Sequence, residues 1–193
     1  MNTTCFRNDA SFDWLYPENI QKLSRLHWTP LSIAKRSARF LANGPGKKIL
    51  DIGSGVGKFC IIGANFFPDN LFYGIEQRRE LYDHAMAVKA FTGLKNADFI
   101  HGNFTQAELG EYDNFYFYNS FFENLDEQGR IDNLLEYSVS LYIYYSRYLF
   151  RALDARPSGT RLVTFHSLEE EVPPDYQVVE ASPDLLLKMW IKR

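Results

Sequence analysis

The spacing of apolar positions changes character along the chain. Between Pro17 and Trp28 they fall at Ile20, Leu23 and Leu26, which is helical spacing with Pro17 suited to a first turn. Thr29-Pro30 interrupts this pattern, because a residue before proline avoids the helical region. A second helix fits 30–42, with Leu31, Ala34, Ala38 and Leu41 on one face and Lys35, Arg36 and Arg39 on the other. The breakers Asn43-Gly44-Pro45-Gly46 end it. The first dozen residues read as polar and irregular, ordered only by docking.

Beyond Gly46, short apolar runs alternate with helical stretches. Lys48–Ile52, Leu71–Ile75 with Glu76 at its end, Ala97–Ile100, Asn114–Tyr118 and Arg161–Phe165 read as buried strands. Helices are expected through Phe67, over 78–92, and over a long span from Glu127 to Ala152. The last of these takes its apolar face from Ile131, Leu134, Leu135, Tyr142, Tyr145 and Leu149. Tyr176–Glu180 and Leu185–Ile191 read as an antiparallel pair around Ser182-Pro183-Asp184, and Glu169-Glu170-Glu171 as a solvated loop. Strands that alternate with helices predict an α/β fold. The expected sheet is Rossmann-like, mostly parallel and seven-stranded, with helices on both faces. Its last two strands form an antiparallel hairpin, and a helical extension precedes it. The whole of 1–193 is expected to be one domain, with 1–46 as a helical lid and 47–193 as the core.

Composition narrows the class. The 193 residues are 46% hydrophobic and 23% charged, the balance of a globular chain that needs no disulfide or metal staple. A net charge of −3 disfavours a nucleic-acid partner held by bulk positive charge. Cys5 and Cys60 lie far apart and form no metal-ligand cluster, so no metal site is expected. There is no signal-peptide pattern and no apolar run long enough to span a bilayer, so a cytoplasmic location away from membranes is expected.

The segment richest in chemistry is Asp51-Ile52-Gly53-Ser54-Gly55-Val56-Gly57-Lys58-Phe59, at the carboxyl end of the first strand. Glycines there let backbone approach a ligand, and a following helix offers free N–H groups. A nucleotide-hydrolase phosphate loop fails twice: Ile52 stands where its first glycine belongs, and Phe59 replaces the metal-binding hydroxyl. A dinucleotide fingerprint fails at Lys58, which takes the place of its third glycine or alanine. The pattern left is Asp-x-Gly-x-Gly-x-Gly.

That pattern resembles the first motif of the class I S-adenosylmethionine-dependent methyltransferases. The likeness continues through Gly74-Ile75-Glu76, Gly102-Asn103-Phe104 and Tyr118-Asn119-Ser120-Phe121, covering Lys48 to about Phe122. Within the class, these motifs are most similar to the non-SET histone lysine methyltransferases, although Ser120 replaces an asparagine of that family. The resemblance implies that Asp51, Gly53, Ser54, Gly55 and Gly57 hold the amino-acid end of S-adenosyl-L-methionine. It implies that Glu76, with Gln77, receives the ribose hydroxyls, that Asn103 accepts the adenine amino group, and that Phe104 covers the ring. Thr29, if its segment closes over the site, would meet the methionine carboxylate. Asn119 is the candidate catalytic residue, orienting the acceptor through its amide oxygen.

The expected function is therefore methyl transfer to a protein side-chain amine or a small molecule. A catalytically silent cofactor-binding subunit or sensor is the alternative. His27-Trp28 reads first as a buried joint between helices and second as part of a lid over the cofactor. His101 and His166 each end a strand on the ligand side, but no residue stands out as a general base. In the aromatic run from Tyr137 to Tyr148, Tyr144 is expected to face away from Tyr142.

Overall fold

The computed structural model describes residues 3–193; Met1 and Asn2, the start of the stretch read as irregular, lie outside the described residues. Seven strands form one sheet in the order β3-β2-β1-β4-β5-β7-β6. They are β1 (Lys48–Ile52), β2 (Leu71–Glu76), β3 (Ala97–His101), β4 (Asn114–Tyr118), β5 (Arg161–Phe165), β6 (Tyr176–Ala181) and β7 (Leu187–Lys192). The first five strands run parallel, whereas β7 pairs antiparallel with both β5 and β6. The order reverses direction between β1 and β4, and ligands of open α/β sheets bind outside the strand ends at such a point.

Strand alternation sends Ile49, Phe72, Phe99 and Tyr116 to one face and Leu50, Ile75, Phe115 and Phe117 to the other. The first face is covered by α4 (Leu31–Leu41), α5 (Lys58–Phe66) and α6 (Arg79–Thr92). The second is covered by α7 (Val139–Asp154), through Leu149 and Leu153, and by short 3-10 turns at Phe104–Gln106 and Leu109–Glu111. Continuous apolar strands such as Lys48–Ile52 thus follow from burial on both faces.

Four expectations change. The opening residues are not irregular: Asn8 caps a short helix, α1 (Asp9–Asp13), by accepting from Ser11 N–H, and Phe12 is fully buried. The stretch 17–28 is helical only as two single turns, α2 (Glu18–Gln21) and α3 (Ser24–His27). The long helix from Glu127 does not form. Asp126 and Asp132 instead accept from Gln128 and Leu134 N–H in local turns, and α7 starts only where Ser138 caps it by accepting from Leu141 N–H. The acidic run at Glu169–Glu171 also departs from a solvated loop. It makes a 3-10 turn and buries Glu171 against Tyr142, Ser146 and Leu168 N–H. Tyr144 is 54% exposed, facing away from that contact as expected.

Candidate active site

The carboxyl ends of β1, β2 and β4 meet around the glycine loop. Gly53 and Ser54 N–H both donate to the Ile75 carbonyl at 3.0 Å, tucking the loop onto the end of β2. Gly53 is left-handed at φ 75°, and a Cβ there would lie 2.3 Å from Ser120 Oγ. Gly57, at φ 81°, would drive a Cβ to 2.4 Å from the Phe99 ring, so neither position accepts another residue. Gly55 N–H donates to Glu76 Oε2 at 2.9 Å, and Arg78 N–H donates to Glu76 Oε1 at 2.8 Å. Each oxygen of this buried carboxylate keeps accepting capacity for one further donor. Burial pushes the Glu76 carboxyl up, against the pull of the Arg78 N–H and guanidinium.

Asp51 is also buried, and among the described residues its one side-chain partner is the Cys60 thiol at 3.8 Å. Burial raises its carboxyl well above the ordinary range, and the charge of Glu76 raises it further. Ser54 is 8% exposed, and its buried hydroxyl has no hydrogen-bond partner among the described residues.

Two cavities border this loop. The larger, about 260 Å³, is reached by Glu76, Gln77, Asn103, Phe104 and Asn119. The smaller, about 40 Å³, is reached by Thr29, Asp51, Ser54 and Lys58. Of the expected residues, Gly53 and Gly55 border both, while Gly57 borders neither and works by packing.

The side chains differ in detail from what their motifs suggest. The Asn103 amide oxygen accepts from Thr105 N–H and Oγ1, while its NH₂ donates to Gln77 Oε1 and Tyr145 OH. It therefore presents donors, not an acceptor, to its neighbours in the cavity wall. Thr29 Oγ1 is engaged with the buried Tyr116 hydroxyl at 2.9 Å. Phe104 is buried in an aromatic group with Phe121 at 4.9 Å and Tyr145 at 5.7 Å. Asn119 is left-handed at φ 41°, a conformation asparagine tolerates better than most residues. Its N–H donates to Ser167 Oγ at 3.3 Å, and its side chain bonds no other described residue.

The chain's N-terminal part docks over the glycine loop. Lys58 is buried between Asp9 at 2.7 Å and Asp13 at 3.0 Å, Tyr16 OH donates to the Val56 carbonyl, and Tyr118 OH donates to the Leu26 carbonyl. His27-Trp28 consequently borders both cavities, with Trp28 buried at the joint between helices. The opposite wall of the large cavity is the segment 119–138, held by Arg78. That guanidinium pairs with Glu123 and with Asp132 at 3.0 Å, and donates to Tyr137 OH at 2.8 Å. Sequence reasoning missed Arg78; its signal is a basic residue two places after the strand-end acid, facing a later acidic segment.

A family described as "Putative methyltransferase" matches residues 45–112, which hold the first three strands, the glycine loop, Glu76 and Asn103. No curated protein sequence matches. Among solved structures, TrmN from Thermus thermophilus is similar at a TM-score of 0.62 and 16% identity, over 90% of this chain and 52% of that one. This chain thus spans about half of that protein's length. An RNA methyltransferase from Salinibacter ruber, solved with S-adenosyl-L-homocysteine, is similar at a TM-score of 0.57 and 17% identity, over 85% of this chain and 91% of that one. A SAM-dependent methyltransferase from Aquifex aeolicus is similar at a TM-score of 0.56 and 17% identity, over 91% of this chain and 97% of that one. The fold is that of the class I S-adenosylmethionine-dependent methyltransferases. At such identities the likeness speaks for the methyltransferase fold alone. Among the described residues no helix is long and apolar enough to cross a membrane.

Proposed function

We propose that the chain binds S-adenosylmethionine across the two cavities and transfers its methyl group to an amine. The observation that carries this reading is the placement of two buried carboxylates, Asp51 and Glu76, one on each cavity, joined by a glycine loop that borders both. A group that carries an ammonium and a sulfonium fits such a place, because positive charge offsets two buried anions. The unpartnered Ser54 hydroxyl in the small cavity fits a ligand with polar atoms of its own. Asp51 and Ser54 would hold the amino-acid end, Glu76 the ribose, and Phe104 with Asn103 the base.

When bound, the cofactor supplies an electrophilic methyl group on a cationic sulfur. The protein's part is alignment and exclusion of water. Asn119 projects from the end of β4 into the large cavity and would orient the acceptor through its amide oxygen. Around it the cavity carries Glu76, Glu123, Asp126 and Glu136 against a single Arg78. Phosphate would meet a net negative lining, whereas an amine finds acceptors. This supports a protein side-chain amine or a small amine over a nucleic acid. The motif resemblance to lysine methyltransferases points the same way.

The test combines binding and labelling. Titration calorimetry should detect S-adenosylhomocysteine, and radiolabelled S-adenosylmethionine should label the protein or small-molecule fraction of a cell extract. Label confined to RNA or DNA would overturn the amine while leaving the cofactor. Loss of S-adenosylhomocysteine binding would overturn both. Asn119→Gly removes the amide but keeps the left-handed backbone, so binding should persist while transfer falls about a hundredfold. Full transfer by that variant would remove Asn119 from acceptor positioning.

A further inference from the structure

We propose that His27 takes the proton from the incoming amine, at the junction where the two cavities meet. The inference rests on the cofactor placement proposed above. With the amino-acid end in the small cavity and the ribose beside Glu76 in the large one, the sulfur and its methyl group lie between them. The residues that border both cavities are His27, Trp28, Gly53, Gly55 and Tyr118. The glycines bring only backbone. The Trp28 indole is a donor and cannot accept a proton. The Tyr118 hydroxyl is committed to the Leu26 carbonyl at 3.0 Å, and burial raises its pKa. His27 is what remains, and its ring nitrogens bond no other described residue.

The other bases are placed elsewhere. His101 faces the Gln77 carbonyl at 3.2 Å, and His166 packs its ring against Phe165 and Tyr118; neither borders either of the two cavities, nor does His84. Asp51 reaches only the small cavity and Glu76 only the large one, so neither carboxylate stands at the junction. Burial lowers the His27 pKa, so the ring is neutral and able to accept near neutral pH. The charges that face it are Glu123, which raises its pKa, and Arg78, which lowers it.

The step balances simply. An alkylammonium gives one proton to the neutral imidazole and becomes a free amine. The amine's lone pair forms the new nitrogen–carbon bond as the carbon–sulfur bond breaks, and its electrons stay on sulfur. The product ammonium leaves, and the imidazolium releases its proton to water.

A test that needs no acceptor uses sinefungin, which carries an amine on carbon in place of the methylsulfonium. Its ammonium should donate to neutral His27 and be repelled by imidazolium. In the wild-type protein the affinity for sinefungin relative to S-adenosylhomocysteine should therefore fall about tenfold as pH drops from about 7.5 to 5. In His27→Gln the ratio should be flat across that range while S-adenosylhomocysteine still binds. A flat ratio in the wild-type protein would overturn the proposal, whatever the variant does. An identical pH-dependent ratio in the variant would overturn it too, assigning the titration to another group. Failure of the wild-type protein to bind S-adenosylhomocysteine at all would overturn the cofactor placement on which it stands.

Discussion

Replacing Arg78 by methionine probes how the outer wall of the large cavity is held. The Arg78 side chain is 9% exposed, and its partners Glu123 and Asp132 are 15% and 25% exposed. Methionine keeps much of the stem's volume and removes all five donors, leaving two carboxylates and the Tyr137 hydroxyl without their shared partner. Breaking a fully buried pair costs about 3–5 kcal/mol; water can still reach Glu123 and Asp132, so about 2–3 kcal/mol is expected here. The loss should be local. Between the 3-10 turn at Phe122–Asn124 and the start of α7 the chain has no regular element, and its ties are short turns and the Arg78 cluster. Urea denaturation should show the lower stability, and trypsin should cut first after Arg130. In the intact protein that arginine lies over the Tyr137 ring at 4.4 Å and donates to the Glu123 carbonyl. On the proposed placement S-adenosylhomocysteine should bind more weakly, because the wall it would lie against opens. Unchanged cleavage at Arg130 with unchanged stability would refute the reasoning; so would a uniform loss of stability that leaves the order of cuts as before.

Two further substitutions test the carboxylates and the base pocket. The Asp51 carboxyl is raised by burial and by Glu76, so the stability it contributes is present at low pH and lost as pH rises through its folded value. Asp51→Asn should therefore flatten the fall in thermal midpoint as pH rises above the ordinary carboxylate range in the ligand-free protein and melt higher there, while weakening cofactor binding; midpoints that parallel the wild type at every pH would refute this. Asn103→Asp keeps an oxygen for Thr105 and turns a second acceptor toward the cavity where asparagine presents NH₂. Affinity for S-adenosylhomocysteine should rise by about 1 kcal/mol, and a loss measured by calorimetry would show that the NH₂ is the group in use.

The parallel strands were legible because burial on both faces writes them as unbroken apolar runs, as in Asn114–Tyr118. The glycine loop and Glu76 were legible because backbone geometry restricts which residues fit. The span 126–138 misled for a specific reason. Ile131, Leu134 and Leu135 fall at helical spacing, yet a distant arginine pulls Glu123, Asp132 and Tyr137 together, and no local pattern records that. Asp126, Asp132 and Ser138 were the available turn and cap signals. The Asn103 motif named the right wall of the cavity, but its amide orientation depends on Gln77 and Tyr145, which come from other elements. His27 and Trp28 gain their meaning only when Tyr118 and Val56 come to lie beneath their segment.

The docking of the N-terminal segment has a consequence for how the protein is made. Residues 9–29 leave the ribosome before the sheet, and Val56, Lys58, Tyr116 and Tyr118, the partners that hold them, follow 40 to 92 positions later. During synthesis this segment has nothing to settle on until β1, the glycine loop and β4 have emerged and paired. Such long-range closures come late, because the chain's freedom must be given up before any contact rewards it. The central strands can thus assemble while the small cavity still lacks the side formed by His27, Trp28 and Thr29. On the proposed cofactor placement, ligand capture would mark the final stage of maturation, and a nascent chain with its sheet complete would still lack the side of the cavity meant for the cofactor's amino-acid end.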